Sequence, residues 1–277
     1  MDCSFCNKEI PENPAPADKI KWSVLDDGTV SIEKFTGDDE SFVIPAEIDG
    51  KKVTKIGAGA FCKSVFLKSI EIPDSVTEIG EYAFAWCTSL KSADIPAGVW
   101  TIGDRAFKGC ASLASVIIQD GVKVIGECAF QRCTSLKSIS IPDSVGVIEK
   151  YAFESCTSLT SISIPKFLSK ICGYTFANCL SLTSISLPES VEFIDELAFA
   201  KCTSLKSIKI SERVMLIGEY AFAWCSSLTS LAIPDSVGKI GFGAFTECTS
   251  LTSAKIPDSA RIEGRAFDGT PLEDKYK

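Results

Sequence analysis

The chain has 277 residues, 45% apolar and 23% charged, with 28 basic against 36 acidic side chains, a net charge of −8 and no histidine. This composition excludes wholesale disorder, and a negative charge without a basic run argues against nucleic acid or an anionic membrane as partner. Without histidine, neither a Ser-His-Asp or Cys-His triad nor a His-ligated catalytic zinc can form, and no apolar stretch approaches the roughly 18 residues of a membrane span.

Residues 1–20 read as a flexible N-terminal segment that lacks the basic start and apolar core of a signal peptide. Cys3-Ser4-Phe5-Cys6 resembles the first knuckle of a bacterial zinc ribbon, so Cys3 and Cys6 are the candidate metal ligands. A ribbon needs a second cysteine pair within about 20 residues, whereas the next cysteine here is Cys62. Residues 21–55 read as a cap and irregular first repeat. Two β-rich runs around Asp26-Asp27-Gly28 predict a hairpin, with Trp22, Val24, Val30 and Ile32 placed to cover the first turn.

Residues 56–267 repeat. The Phe of an Ala-Phe pair (Thr-Phe at Phe176) recurs at Phe61, Phe84, Phe107, Phe130, Phe153, Phe176, Phe199, Phe222 and Phe245, each 23 residues after the last, and Phe267 follows 22 later. Such a period means a solenoid, in which no unit buries its apolar side chains alone and stacked units share one core. Counting Phe as position 0, Ala at −1 and Cys at +3 share one face of a short helical turn. Leu follows at +6, and apolar residues at +9 and +11 have strand periodicity, as in Ile139/Ile141. Pro at +12 ends the strand because it has no N–H for the ladder. Val at +15 and Ile at +18 then turn inward. The expected architecture is a repeat solenoid with a parallel β-sheet on one face and short helical turns on the other, an α/β class. Residues 268–277, where Cys gives way to Thr270 and the chain turns polar, read as a C-terminal cap and tail. The turn from Lys166 to Phe176 departs most from the pattern, and a local bend or contact site is expected there.

Eight of the thirteen cysteines occupy +3 in successive turns, from Cys87 to Cys248. They are expected to be reduced, buried thiols, because parallel side-chain vectors hold neighbouring Cβ atoms farther apart than a disulfide allows.

The candidate binding residues flank the inward +9 side chain. Position +8 is Ser in nine turns, from Ser69 to Ser253, and +10 runs Glu71, Asp94, Ile117, Ser140, Ser163, Ser186, Lys209, Ala232, Lys255. Position +7 is mostly Lys or Thr. The residues expected to meet a partner are Ser69, Glu71, Asp94, Lys137, Ser138, Ser161, Ser163, Ser184, Ser186, Lys206, Lys209 and Lys255. They form a polar platform that grades from acidic to basic. The same serines also suit a packed hydroxyl ladder, and both readings stand. Neither is a nucleophile site, since no base is present to activate a serine. No cofactor and no catalytic residue are expected.

The unit C-x-S-L-x-S-I-x-I-P-x-S-V-x-x-I-G-x-x-A-F resembles the BspA-like, or Treponema pallidum type, leucine-rich repeat over about residues 40–270. The resemblance implies a right-handed leucine-rich-repeat superhelix used for binding. It also implies a place at the cell surface and a protein partner, such as a host matrix or cell-surface protein, while the flat polar platform would also suit a glycan. The absence of a signal peptide keeps a cytoplasmic location as the alternative, with the chain acting as an intracellular scaffold behind a degenerate zinc-ribbon-like N-terminus.

Overall fold

The computed structural model describes residues 17–276. The Cys3–Cys6 pair therefore lies outside the described residues. Each repeat makes one coil with three sides, and in most coils each side hydrogen-bonds to the same side of the next.

The first side is a strand of three or four residues that begins at the +8 serine, as in Ser92–Ile95, Ser115–Ile118 and Ser138–Ser140. These strands pair in parallel and in register, Ser115 beside Ser92 and Ser161 beside Ser138. Alternation sends +9 inward and +8 and +10 outward, so Ile139 is buried between exposed Ser138 and Ser140. Proline then closes a corner: the Pro142 carbonyl accepts the Val145 N–H at 3.1 Å, and the Pro188 carbonyl accepts that of Val191 at 3.1 Å.

The second side is a ladder that the sequence reading did not separate from the corner. It consists of two-residue strands at +17 and +18, including Glu78–Ile79, Thr101–Ile102, Val124–Ile125 and Val147–Ile148, again parallel and in register. Two residues are too few to show a period, so only the inward Ile was legible.

The third side corrects the expected helical turn. No helix forms around Phe; the chain makes consecutive tight turns instead. Around Phe84, the N–H groups of Ala83, Ala85 and Cys87 donate three residues back, to Gly80, Tyr82 and Phe84. Those of Tyr82, Phe84 and Trp86 donate to Asp104, Ala106 and Lys108 of the next coil. This alternation requires left-handed backbone at −2 and +2, where Tyr82 has φ 55° and Trp86 φ 61°. An α-helix would direct every N–H along its own axis and leave the coils unjoined on this side. A left-handed residue costs roughly 1–2 kcal/mol, offset here by an inter-coil hydrogen bond at each site. At two of these positions the aromatic lies over a glycine of the next coil, Trp86 over Gly109 and Tyr220 over Gly243. A Cβ on Gly109 (φ +73) would sit 2.3 Å from the Trp86 ring, and one on Gly243 (φ +61) 2.4 Å from Tyr220.

The core is the column of phenylalanines. Adjacent rings from Phe61 to Phe267 lie 5.1–5.8 Å apart and are nearly parallel. Each buried ring contributes about 1.5–3 kcal/mol of hydrophobic stabilisation before ordering costs. The caps extend the same column: Phe35 stacks on Phe61 at 5.1 Å, and Tyr276 lies 4.7 Å from Phe267. The hairpin pairs Ile20–Val24 with Val30–Phe35 and adds to the short-strand sheet. Val30 and Ile32 are buried and Trp22 packs on the core, but Val24 is 48% exposed and stands apart from the core.

Both ladders break at the Lys166–Phe176 turn. The long-strand ladder stops at Ser161–Ser163, and the short-strand ladder restarts at Lys170–Ile171; the long-strand ladder breaks once more between Ser207–Lys209 and Ser230–Ala232. The Phe153–Phe176 separation, 5.8 Å, is also the widest in the column. In four other coils a serine at +14 ties the corner to the preceding one; Ser144 Oγ, for example, donates to the Val122 carbonyl at 2.9 Å and Ser190 Oγ to that of Leu168 at 2.6 Å. Phe167 occupies that position with 67% of its surface exposed.

Candidate binding surface

Strand register turns the +8 and +10 positions into two columns that run along the long-strand face. Ser138 lies beside Ser161, Ser140 beside Ser163, Ser184 beside Ser207, and Ser186 beside Lys209. Of the sequence-predicted residues, Glu71, Asp94, Lys137, Ser138, Ser161, Ser163, Ser184, Ser186, Lys206, Lys209 and Lys255 are exposed, and Ser69 is half-buried, its hydroxyl 2.8 Å from Ser41 Oγ. The strands bring Ser138, Ser161, Ser163 and Ser186 together around an open depression of about 510 Å³. Glu71 and Asp94 stand toward one end of the columns, Lys209 and Lys255 toward the other, so the acidic and basic members do not share a single pocket. Ser115, Ser140, Ser207, Ser230, Ala232 and Ser253 of the same columns are also exposed, and one apolar neighbour stands out. Ile117, 46% exposed, sits in the +10 column between Asp94 and Ser140. Its signal was an apolar residue in an otherwise polar register position.

The thiol ladder lies on the opposite side of the core wall and is closed to solvent. Cys87 donates to the Phe61 carbonyl at 3.0 Å, and the pattern continues to Cys248 and Phe222 at 3.1 Å. Burial pushes the Cys87 and Cys156 thiols up to about 12 and those of Cys110, Cys133 and Cys179 well above the ordinary range. All eleven described cysteines are free. Among the described residues, no cluster of three or more His, Cys, Asp or Glu is arranged to hold a metal ion, and no helix is long and apolar enough to cross a membrane.

Ladders in register, a shared aromatic column and open depressions define a repeat solenoid that presents side chains in rows. The chain matches the family described as the BspA type leucine rich repeat region, in six copies over residues 54–183 and 169–276. The chain belongs to this family. Among solved structures it is similar to the T. pallidum leucine rich repeat protein, with 27% identity over 78% of this chain and 91% of that one and a TM-score of 0.61. It shares the fold of the pneumococcal vaccine antigen PcpA, at 18% identity over 90% of this chain and 86% of that one, with a TM-score of 0.52. A leucine rich cell surface protein from Faecalibacterium prausnitzii matches at 26% identity over 91% of this chain and 90% of that one, with a TM-score of 0.47. None of the curated proteins matches. Proteins of the leucine-rich repeat class are typically non-enzymatic scaffolds that bind other proteins.

Proposed function

We propose that this chain is a non-catalytic adhesion module, displayed at a cell surface, that recognises a protein through the long-strand face. The observation that carries this reading is the register. Within three successive ladders it aligns Ser69, Glu71 and Asp94 with Ser138, Ser161 and Ser163, then Ser184 and Ser186 with Lys209, and then carries Lys255; Lys137 and Lys206 immediately precede their strands. Such a surface gains affinity by summing modest contacts over a rigid platform, with charge at its two ends setting orientation and association rate.

The test is the quadruple variant Glu71→Lys, Asp94→Lys, Lys209→Glu and Lys255→Glu, which reverses the gradient and leaves net charge unchanged. Binding to immobilised matrix and cell-surface proteins is measured at low and high salt. The native chain should bind with a salt-dependent association rate, and the variant should lose about tenfold or more in affinity. Unchanged binding by the variant, or no binding to any of these proteins by the native chain, overturns the proposal.

A further inference from the structure

The short-strand side carries a large residue that solenoid packing does not require. Other coils hold Thr77, Lys123, Gly146, Ser169, Glu192, Met215 or Gly238 at +16, whereas Trp100 stands there with 62% of its surface exposed. It walls an open groove of about 470 Å³ together with Thr77, Glu78, Glu81, Thr101 and Asp104. Gly80 and Gly103 also line the groove, without side chains to fill it. The Lys123 ammonium lies 5.8 Å from the indole centroid but does not line the groove. It belongs to the following coil, so the ring remains open on the side of the preceding coil, where Thr77–Glu81 lies.

The carboxylates are held in place without being used up. Glu78 Oε1 pairs with Lys55 at 2.8 Å, Glu81 Oε1 with Arg105 at 3.2 Å, and Asp104 Oδ1 accepts the Glu127 N–H at 2.8 Å. The second oxygen of each remains an acceptor. Lys55 and Arg105 offset part of this negative charge, Arg105 being shared with Glu127 at 2.9 Å, and Lys123 lies just outside the groove. A flat aromatic wall beside anchored acceptors suits a ligand with an apolar face and a rim of hydroxyl donors.

We propose that this groove binds an uncharged pyranose ring of a glycan, its apolar face stacked on Trp100 and its hydroxyls donating to Glu78, Glu81 and Asp104. The site is separate from the long-strand face and does not rest on the function proposed for it.

The test titrates the full chain with neutral hexose oligosaccharides of gluco, manno and galacto configuration, followed by calorimetry and tryptophan fluorescence. At least one should bind saturably at millimolar concentration or below, with little dependence on salt. Trp100→Ala should weaken that binding by about tenfold or more, and Trp100→Phe should retain part of it. Thermal unfolding of both variants should match the native chain, because the indole is mostly exposed. The quadruple long-strand variant should titrate like the native chain. No binding by any of the three sugars, or equal binding by Trp100→Ala, overturns the proposal. So does a salt-sensitive preference for a lysine-rich peptide that Trp100→Ala abolishes, which would assign the groove to a cationic segment.

Discussion

The Cys156 thiol donates to the Phe130 carbonyl of the preceding coil at 3.2 Å, and that carbonyl also accepts the Cys133 N–H at 3.1 Å. A sulfur at +3 thus fills core volume and joins two coils at once. Cys156→Ala should lose both the weak hydrogen bond and a small volume, costing about 1–2 kcal/mol in denaturant unfolding. A cost near zero would show that the thiol only occupies space.

The same ladder makes stability fall at alkaline pH. A thiol whose folded pKa is raised contributes stability that is fully present below its unfolded pKa and is lost as pH rises toward the folded value. For Cys87 and Cys156 the window runs from about 9 to about 12. The denaturation midpoint should therefore decline above pH 9, and replacing both cysteines by alanine should flatten that decline. An identical pH profile for the double variant would refute the assignment. At neutral pH, the ladder thiols should resist labelling in the folded protein and react fully once it is unfolded.

The aromatic column predicts a graded response. Phe153 lies between Phe130 and Phe176, so Phe153→Ala should cost about 3–5 kcal/mol. Tyr276 is half-buried and touches the column on one side only, so Tyr276→Ala should cost about 1–2 kcal/mol. Equal losses would mean that the end ring is not a cap.

Trp86 and Gly109 should be coupled. Gly109→Ala places a methyl against the indole and destabilises by about 1–2 kcal/mol, part of it from the positive φ. In the Trp86→Ala background the steric part vanishes, so the double-mutant cycle should show a coupling of about 0.5–1.5 kcal/mol. Simple additivity would dismiss the ring contact.

Phe167→Ser should stabilise the chain by about 0.5–1 kcal/mol. The serine would reach the Val145 carbonyl as Ser144 and Ser190 reach theirs, while the phenylalanine it replaces is 67% exposed and buries little. Destabilisation would mean that Phe167 makes a contact worth more than the missing corner bond.

By itself the sequence determined the solenoid, its period, the Phe column, the inward Leu and Ile, the thiol ladder and the outward +8 and +10 positions. Each of these repeats at a constant spacing, and burial selects residue type at every recurrence. The coil-to-coil hydrogen bonds left no such trace. Tyr82, Arg105, Cys128, Tyr151 and Leu197 all sit at −2 with positive φ, and nothing in their chemistry announces a left-handed backbone. That conformation lets alternate N–H groups reach the carbonyls of the next coil, so a helical spacing of Ala, Phe and Cys became a series of tight turns. The second ladder was hidden because its strands are two residues long. The groove beside Trp100 was hidden because its walls, Glu78 and Glu81 from one coil and Trp100 and Asp104 from the next, are brought together only by stacking.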